Sequence, residues 1–159
     1  MVAPLITLTT IQDLLEWYRT NLCNAYLRDP RGYRVRFNLN DFVHFIKLTN
    51  KDGDEPRNRR KAVEDIRRAR IRFVHGRYDK QRAVELTWAR DIATAPDLIC
   101  RNWNPTDGGD ECYVKNFGGE GLPNRYRVLV CKITGTTRQA ITIFPCEIGG
   151  KERAFQIWP

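Results

Sequence analysis

The chain has two histidines, and the first lies in the most apolar local context of its N-terminal half. His44 stands between Val43 and Phe45. An imidazole has an ordinary pKa of about 6.5, so it can accept or release a proton near neutral pH. Two interpretations stay open for His44: a proton carrier in a site, or a buried, hydrogen-bonded core residue. His75 lies beside Gly76 in a basic stretch, which favours an exposed or RNA-contacting position over a catalytic one.

A lysine and a threonine add groups that can contact phosphate. Lys115 lies in a Tyr-Val-Lys-Asn-Phe run, where strand alternation predicts that it shares a face with Tyr113 and Phe117. An ammonium between two aromatic rings can hold a phosphate beside stacked bases, and the alternative is a lysine on the open face of a sheet. Thr142 lies in an Ile-Thr-Ile-Phe-Pro run, where a threonine can serve simply as a strand former.

These side-chain types suit the cleavage of RNA without a metal ion. In that reaction the 2′-hydroxyl attacks the adjacent phosphate, and the protein supplies a base, an acid and cations around the phosphorus. The sequence has no P-loop, no dinucleotide fingerprint after a strand, no H-E-x-x-H and no G-x-S-x-G. Neither its acidic residues nor its cysteines and histidines cluster with metal-ligand spacing. The sequence therefore predicts no metal and no cofactor.

The net charge is concentrated in one segment. Lys and Arg number 27 and Asp and Glu 19, which gives +8. Residues 57–82 hold eleven basic and three acidic residues, so this segment carries the whole excess. Such a block usually faces a polyanion, although a solvated helix face would look the same. The candidate RNA contacts are Arg59, Arg60, Arg67, Arg68 and His75 in the block, and Arg90, Arg101, Tyr113 and Arg127 beyond it. For Arg90, Arg101 and Arg127 a structural salt bridge is the open alternative.

The five cysteines show no C-x-x-C spacing. We interpret Cys100, Cys131 and Cys146 as reduced, buried small hydrophobes of a cytoplasmic protein. No apolar run approaches the ~18 residues of a membrane span, and the N-terminus does not resemble a secretory signal. The sequence therefore predicts a cytoplasmic protein without a membrane partner.

The elements that must position these side chains follow from periodicity. Apolar residues at helical spacing predict helices over 9–28, 58–72 and 79–95, and strict alternation predicts a strand over 33–39. After Pro96 the pattern predicts four further strands, the last two joined as a hairpin. Helices followed by a meander indicate an α+β fold, with N-terminal helices packed on a four-stranded antiparallel sheet. We divide the chain into an N-terminal helix, 1–30, and an α+β domain, 31–159.

The order of these motifs resembles a known family. Asn-Asp-Phe-Val-His-Phe-Ile over 40–46 is followed by an arginine-rich helical region, by Ala-Pro-Asp-Leu-Ile over 95–99, by Tyr113-Val-Lys115 and by Ile-Thr142-Ile-Phe-Pro. Together they resemble the barnase/EndoU/colicin/RelE-like nucleases of phage and mobile-element proteins, over roughly residues 33–146. The resemblance implies metal-independent ribonuclease chemistry. It implies that His44 transfers a proton, that Lys115 stabilises phosphate charge and that Thr142 contacts phosphate from the sheet.

We therefore predict a metal-independent endoribonuclease of toxin or phage-effector type, with RNA as substrate. An acidic immunity or antitoxin protein is a further candidate partner. Two alternatives stay open. One is a non-catalytic nucleic-acid-binding domain that uses the basic segment 57–82, and the other is a module that docks an acidic protein through the same segment.

Overall fold

A mixed sheet of seven strands organises the part of the chain that the structure describes. The structure, a computed structural model, describes residues 10–68, 77–118 and 126–159. The sheet curls into a half-barrel. In chain order its strands are β1 (Leu27–Arg28), β2 (Arg34–Arg36), β3 (Leu98–Arg101), β4 (Glu111–Asn116), β5 (Tyr126–Thr134), β6 (Thr137–Cys146) and β7 (Gln156–Trp158). Across the sheet their order is β1-β2-β6-β5-β4-β3-β7.

The predicted four-stranded antiparallel sheet is therefore wrong, although the α+β character is present. The expected meander is there as β3 to β6, which pair antiparallel in sequence order. β1 and β2 extend it on one side, with β2 parallel to β6, and β7 extends it on the other. The added strands have only two or three residues each, too few for alternation to identify them.

Helices cover one face of this sheet. They are α1 (Ile11–Tyr18), α2 (Phe42–Phe45), α3 (Arg59–Arg67), α4 (Lys80–Glu85) and α5 (Ala89–Thr94). A further short helix, α6 (Gly150–Arg153), has no buried residue and contacts β5 through Arg153, which donates to the Tyr126 hydroxyl at 3.1 Å. The predicted helix 9–28 is shorter than expected, because a π-helical turn over Arg19–Cys23 ends it before β1. The predicted helix 79–95 is two helices joined by a 3-10 turn, Leu86–Trp88. The end of the predicted helix 58–72 lies outside the described residues.

Side-chain caps fix where these helices begin. Thr10 caps α1 by accepting from the N–H of Asp13 at 3.1 Å. Asp79 caps α4 by accepting from the N–H groups of Gln81 and Arg82, at 2.9 and 3.2 Å. Each cap satisfies backbone donors that a helix leaves unpaired at its first turn.

The core lies between the helices and the sheet. Leu14 and Tyr18 of α1 are fully buried in one apolar cluster with Val35, Leu129 and further residues of the sheet. The described part of the predicted segment 1–30 therefore shares its core with the rest of the chain. A second cluster fills part of the opposite sheet face and contains Leu98, Cys100, Cys112, Val114, Val128 and Val130.

All five cysteines are free thiols. Burial confirms the interpretation of Cys100 and Cys131 as small hydrophobes, whereas Cys146 is only half-buried. Burial raises the pKa of the Cys100 thiol to about 11 and that of Cys112 to about 12. Among the described helices, none has the length and apolar character that a bilayer crossing requires.

Candidate functional site

His44 occupies the single turn of helix α2, at the border of the core. The neighbouring Phe42, Val43 and Phe45 are buried in the apolar cluster, so their burial fixes the helix while His44 stays half-buried. The Nδ1 atom of His44 is buried and has no hydrogen-bond partner within the described residues. A structural core histidine normally has its ring nitrogens bonded. The unpartnered Nδ1 atom therefore does not fit the alternative in which His44 is a buried, hydrogen-bonded core residue.

The surroundings favour an uncharged imidazole. Burial lowers the pKa of His44, and the positive charges of Arg59 and Arg82 lower it further, while Glu55 and Asp41 act in the opposite direction. Because this pKa is lowered from an ordinary value of 6.5, the neutral form of the ring is favoured at pH 7. A neutral imidazole can accept a proton, which is what a general base requires.

Arg82 joins the turn of His44 to the sheet. Its Nε donates to the backbone oxygen of Phe45 at 3.2 Å, and its Nη2 donates to Oγ1 of Thr142 at 3.1 Å. The guanidinium is half-buried and is carried by the first turn of α4, whose start the Asp79 cap fixes. In the sequence Arg82 is one of the eleven basic residues of 57–82. No local pattern distinguishes it, because its two hydrogen-bond partners lie 37 and 60 residues away.

Thr142 lies on β6 just beyond the residues that pair with β2. The pairing of β2 with β6 ends at Gln139, and Thr142 pairs with Val130 next to a register shift in the β5–β6 ladder. Arg82 therefore contacts Thr142 directly and the helical turn of His44 through Phe45 O, so two of the three predicted catalytic residues lie on segments that Arg82 joins. We call His44, Arg82 and Thr142 the His44 cluster.

Lys115 lies outside the His44 cluster. Its Nζ donates to the backbone oxygen of Ala95, at the end of α5, over 2.6 Å. In register Lys115 pairs with Arg127, which pairs with Pro145. Strand spacing then puts the Cα atoms of Lys115 and Thr142 roughly 14 Å apart. In this structure Lys115 hydrogen-bonds the backbone carbonyl of the residue that ends helix α5.

Two other predicted RNA contacts lie in structural networks. Arg127 forms an ion pair with Glu85 at 2.6 Å, and the Glu85 carboxylate is 1% exposed. Tyr113 is fully buried: its hydroxyl donates to Asp29 at 2.7 Å and accepts from Arg31 at 3.0 Å. Burial raises the pKa of Tyr113 well above its usual value. A nucleic-acid base would reach this ring only if the network opened.

The arginines of the basic helix α3 are exposed to solvent. Ala62, Val63 and Ile66 are buried, and Asp65 is buried beside them. Arg59 is 45% exposed and pairs with Asp41 at 2.8 Å, whereas Arg60 is 80% exposed and lies 3.6 Å from Glu64. The other described candidates are also exposed: Arg67, Arg68, Arg90 and Arg101. His75 lies outside the described residues.

A cleft of about 660 Å³ lies at the surface, and no residue of the His44 cluster is among the residues that line it. The loop over 50–58 and the start of α3 line it, with Glu55, Arg57 and Lys61 among the lining residues. Of these lining residues, Glu55 acts on His44 electrostatically, since its carboxylate raises the pKa of the imidazole. Within the described residues no group of three or more His, Cys, Asp or Glu side chains is positioned to hold a metal ion.

Comparison with known proteins returns no match of this chain to a family model, to a curated protein or to a solved structure.

Proposed function

We propose that this protein is a metal-independent endoribonuclease that cleaves RNA at the His44 cluster. The observation that carries the proposal is the double hydrogen bond of Arg82, to Phe45 O at 3.2 Å and to Thr142 Oγ1 at 3.1 Å. It joins the Arg82 guanidinium to the Thr142 hydroxyl and to the backbone of the helical turn that carries His44, and the Arg82 charge acts on the half-buried imidazole. Cation, hydroxyl and base are the groups that phosphoryl transfer without a metal needs.

The proposed reaction is an internal transfer. Neutral His44 takes the proton of the 2′-hydroxyl as the 2′-oxygen forms a bond to phosphorus. The bond from phosphorus to the 5′-oxygen breaks, and that oxygen takes a proton from solvent. The products are a 2′,3′-cyclic phosphate and a free 5′-hydroxyl. Arg82 and Thr142 contact the non-bridging oxygens, whose negative charge grows in the transition state.

The family relationship and the biological role belong to the same proposal. The order of the motifs around His44, Lys115 and Thr142 supports kinship with the barnase/EndoU/colicin/RelE-like nucleases and a toxin or phage-effector role. We leave Lys115 out of the proposed cluster because strand spacing puts its Cα atom roughly 14 Å from that of Thr142. An acidic inhibitor protein would suit the exposed arginines of α3. The free thiols support a cytoplasmic location.

The test is cleavage of a fluorescent single-stranded RNA with EDTA present. We expect wild type to cleave, and His44→Ala to cut about 10²–10⁴-fold more slowly, as removal of a general base does. Arg82→Lys keeps the charge but cannot bridge two acceptors, so a loss of at least roughly tenfold is expected. Lys151→Gln, an exposed lysine on α6, is the matched control and should cleave like wild type.

The substrate supplies a second control. RNA with a single 2′-deoxy position should resist cutting at that position, because the attacking hydroxyl is absent. Cleavage that persists at the deoxy position, or that is equal in wild type and His44→Ala, would refute the proposed mechanism.

A second candidate function is nucleic-acid binding without catalysis, favoured by the exposed arginines of α3. It predicts RNA binding with a steep salt dependence and no cleavage by wild type. His44→Ala would then bind RNA as tightly as wild type.

A further inference from the structure

The face of the sheet opposite the helices is covered in one part and open in another. The second apolar cluster occupies the part formed by β3, β4 and the first half of β5. At the other side, β1, β2, the start of β6 and the end of β5 turn a different set of side chains to the same face. Along these strands the residues that alternate with this set, such as Leu27, Val35 and Ala140, are buried against the helices. Because successive side chains of a strand point to opposite faces, the set itself points away from the helices.

The register gathers cations there from distant parts of the sequence. Arg28 pairs with Arg34, and Arg34 pairs with Thr137. In the next row Arg36 pairs with Gln139, which pairs with Lys132. Residues paired across a ladder share a face. We call this set the basic sheet face, and its charged and aromatic members are Tyr26, Arg28, Arg34, Arg36 and Lys132.

These cations are available to a ligand. Arg28, Arg36 and Lys132 are exposed, and Arg34 is half-buried. Within the described residues no ion pair joins any of the four to a carboxylate. The carboxylate next to Lys132 along the ladder is that of Asp110, and it accepts from the backbone N–H of Ile133 at 2.7 Å. Four positive charges on one open face are complementary to a polyanion.

An exposed aromatic ring sits among these charges. Tyr26 is 62% exposed, the largest exposed fraction among the bulky hydrophobic side chains described. The guanidinium carbons of Arg28 and Arg34 each lie 4.9 Å from its ring centroid. Arg28 also donates to the Tyr26 hydroxyl and to Gly32 O, both at 2.9 Å. These contacts hold the ring and its cations in one arrangement before any ligand arrives.

We infer that the basic sheet face binds single-stranded nucleic acid, with the phosphates on its arginines and lysine and a base stacked on Tyr26. An aromatic ring among cations on an open sheet suits unpaired bases, because every base has a face that can stack. In a duplex the bases are stacked on each other and cannot reach the ring. The inference extends the proposed function by naming the ligand class, and it does not depend on cleavage.

The location suits a strand that also reaches the His44 cluster. Gln139 on this face and Thr142 in the cluster are three residues apart on β6, a distance of roughly 10 Å along a strand. An extended single strand can therefore lie on the basic sheet face and continue to Thr142.

The experiment measures binding of labelled single-stranded oligodeoxythymidylate by fluorescence polarisation over a series of salt concentrations. This probe has no 2′-hydroxyl, so binding is measured whether or not the protein is a ribonuclease. We expect Arg36→Gln/Lys132→Gln to weaken binding roughly tenfold at low salt and to reduce the slope of log Kd against log salt by about 1.4, since each phosphate contact on a single strand contributes about 0.7. Tyr26→Leu should weaken binding by roughly tenfold.

Two controls separate this face from charge in general. Lys51→Gln/Lys151→Gln removes two exposed positive charges elsewhere and should keep the wild-type slope. Tyr26→Leu should leave the affinity for duplex DNA unchanged. Equal losses in the two double variants, or no loss in Tyr26→Leu, would overturn the inference. Release of Arg36→Gln/Lys132→Gln from phosphatidylserine vesicles with unchanged affinity for the oligonucleotide would assign the face to a membrane instead.

Discussion

At the scale of single residues, the charges around His44 determine its protonation. Arg59 lowers the pKa of His44 and Glu55 raises it, in addition to the lowering by burial. Arg59→Gln should therefore raise the pKa of His44, and Glu55→Gln should lower it further. NMR titration of the His44 imidazole protons measures both changes, with the wild-type titration as the reference. Shifts in the same direction for both variants would contradict this arrangement of charges.

The same residues show which members of the candidate site can be predicted from the sequence. His44 was identifiable because a histidine between Val43 and Phe45 is unusual in type and place. Arg82 was not, because what distinguishes it is a pair of hydrogen bonds to segments 37 and 60 residues away. Lys115, predicted as a phosphate contact, donates to Ala95 O, which uses one of the three donors of its ammonium, so its role stays a prediction. A local sequence pattern identifies side chains with suitable chemistry, whereas long-range contacts determine which of these side chains lie close together.

At the scale of elements, the cap of α4 should affect the proposed site as well as stability. Asp79→Ala removes an acceptor for two backbone donors and should cost about 0.5–2 kcal/mol of unfolding free energy. Because α4 carries Arg82, we expect slower RNA cleavage in the same variant. Thr10→Ala, which removes the cap of α1, should cost a similar free energy and leave cleavage unchanged. Denaturant unfolding and cleavage assays under folding conditions measure both effects, and equal cleavage by the two variants would contradict the link.

The elements that sequence could predict are those held by local contacts. The periodic helices and the hairpin of β5 and β6 need only neighbouring residues, and the structure contains them. The parallel pairing of β2 with β6 joins Arg34 to Thr137 across about a hundred residues and leaves no trace in periodicity. This pairing turned the expected antiparallel sheet into a mixed one. It also built the basic sheet face, which the count of charges along the sequence did not reveal.

At the scale of the whole molecule, a buried network of ion pairs joins the edge strands β1 and β2 to the antiparallel strands β3 to β6. Arg31, in the turn between β1 and β2, donates to Asp29 and to Glu111 of β4, each at 2.8 Å, and Arg138 of β6 donates to Glu111 at 2.7 Å. All its carboxylates are buried. Loss of one partner would leave a buried charge unpaired, which typically costs ~3–5 kcal/mol.

This network predicts how stability depends on pH. Burial alone would raise the pKa of Glu111, but hydrogen bonds from Arg31 and Arg138 outweigh it and lower that pKa below its usual 4.5. A lowered pKa in the folded state stabilises the protein above pH 4.5, and this stabilisation is lost as the pH falls through the folded value. Glu111→Gln should therefore be less stable than wild type at pH 7, and the difference should shrink as the pH falls below 4.5. Denaturant unfolding at a series of pH values tests this, with Asp52→Asn, an exposed carboxylate in the loop over 50–58, as the control. A difference that stays constant down to low pH would mean that packing, and not the charge of Glu111, joins the two parts of the sheet.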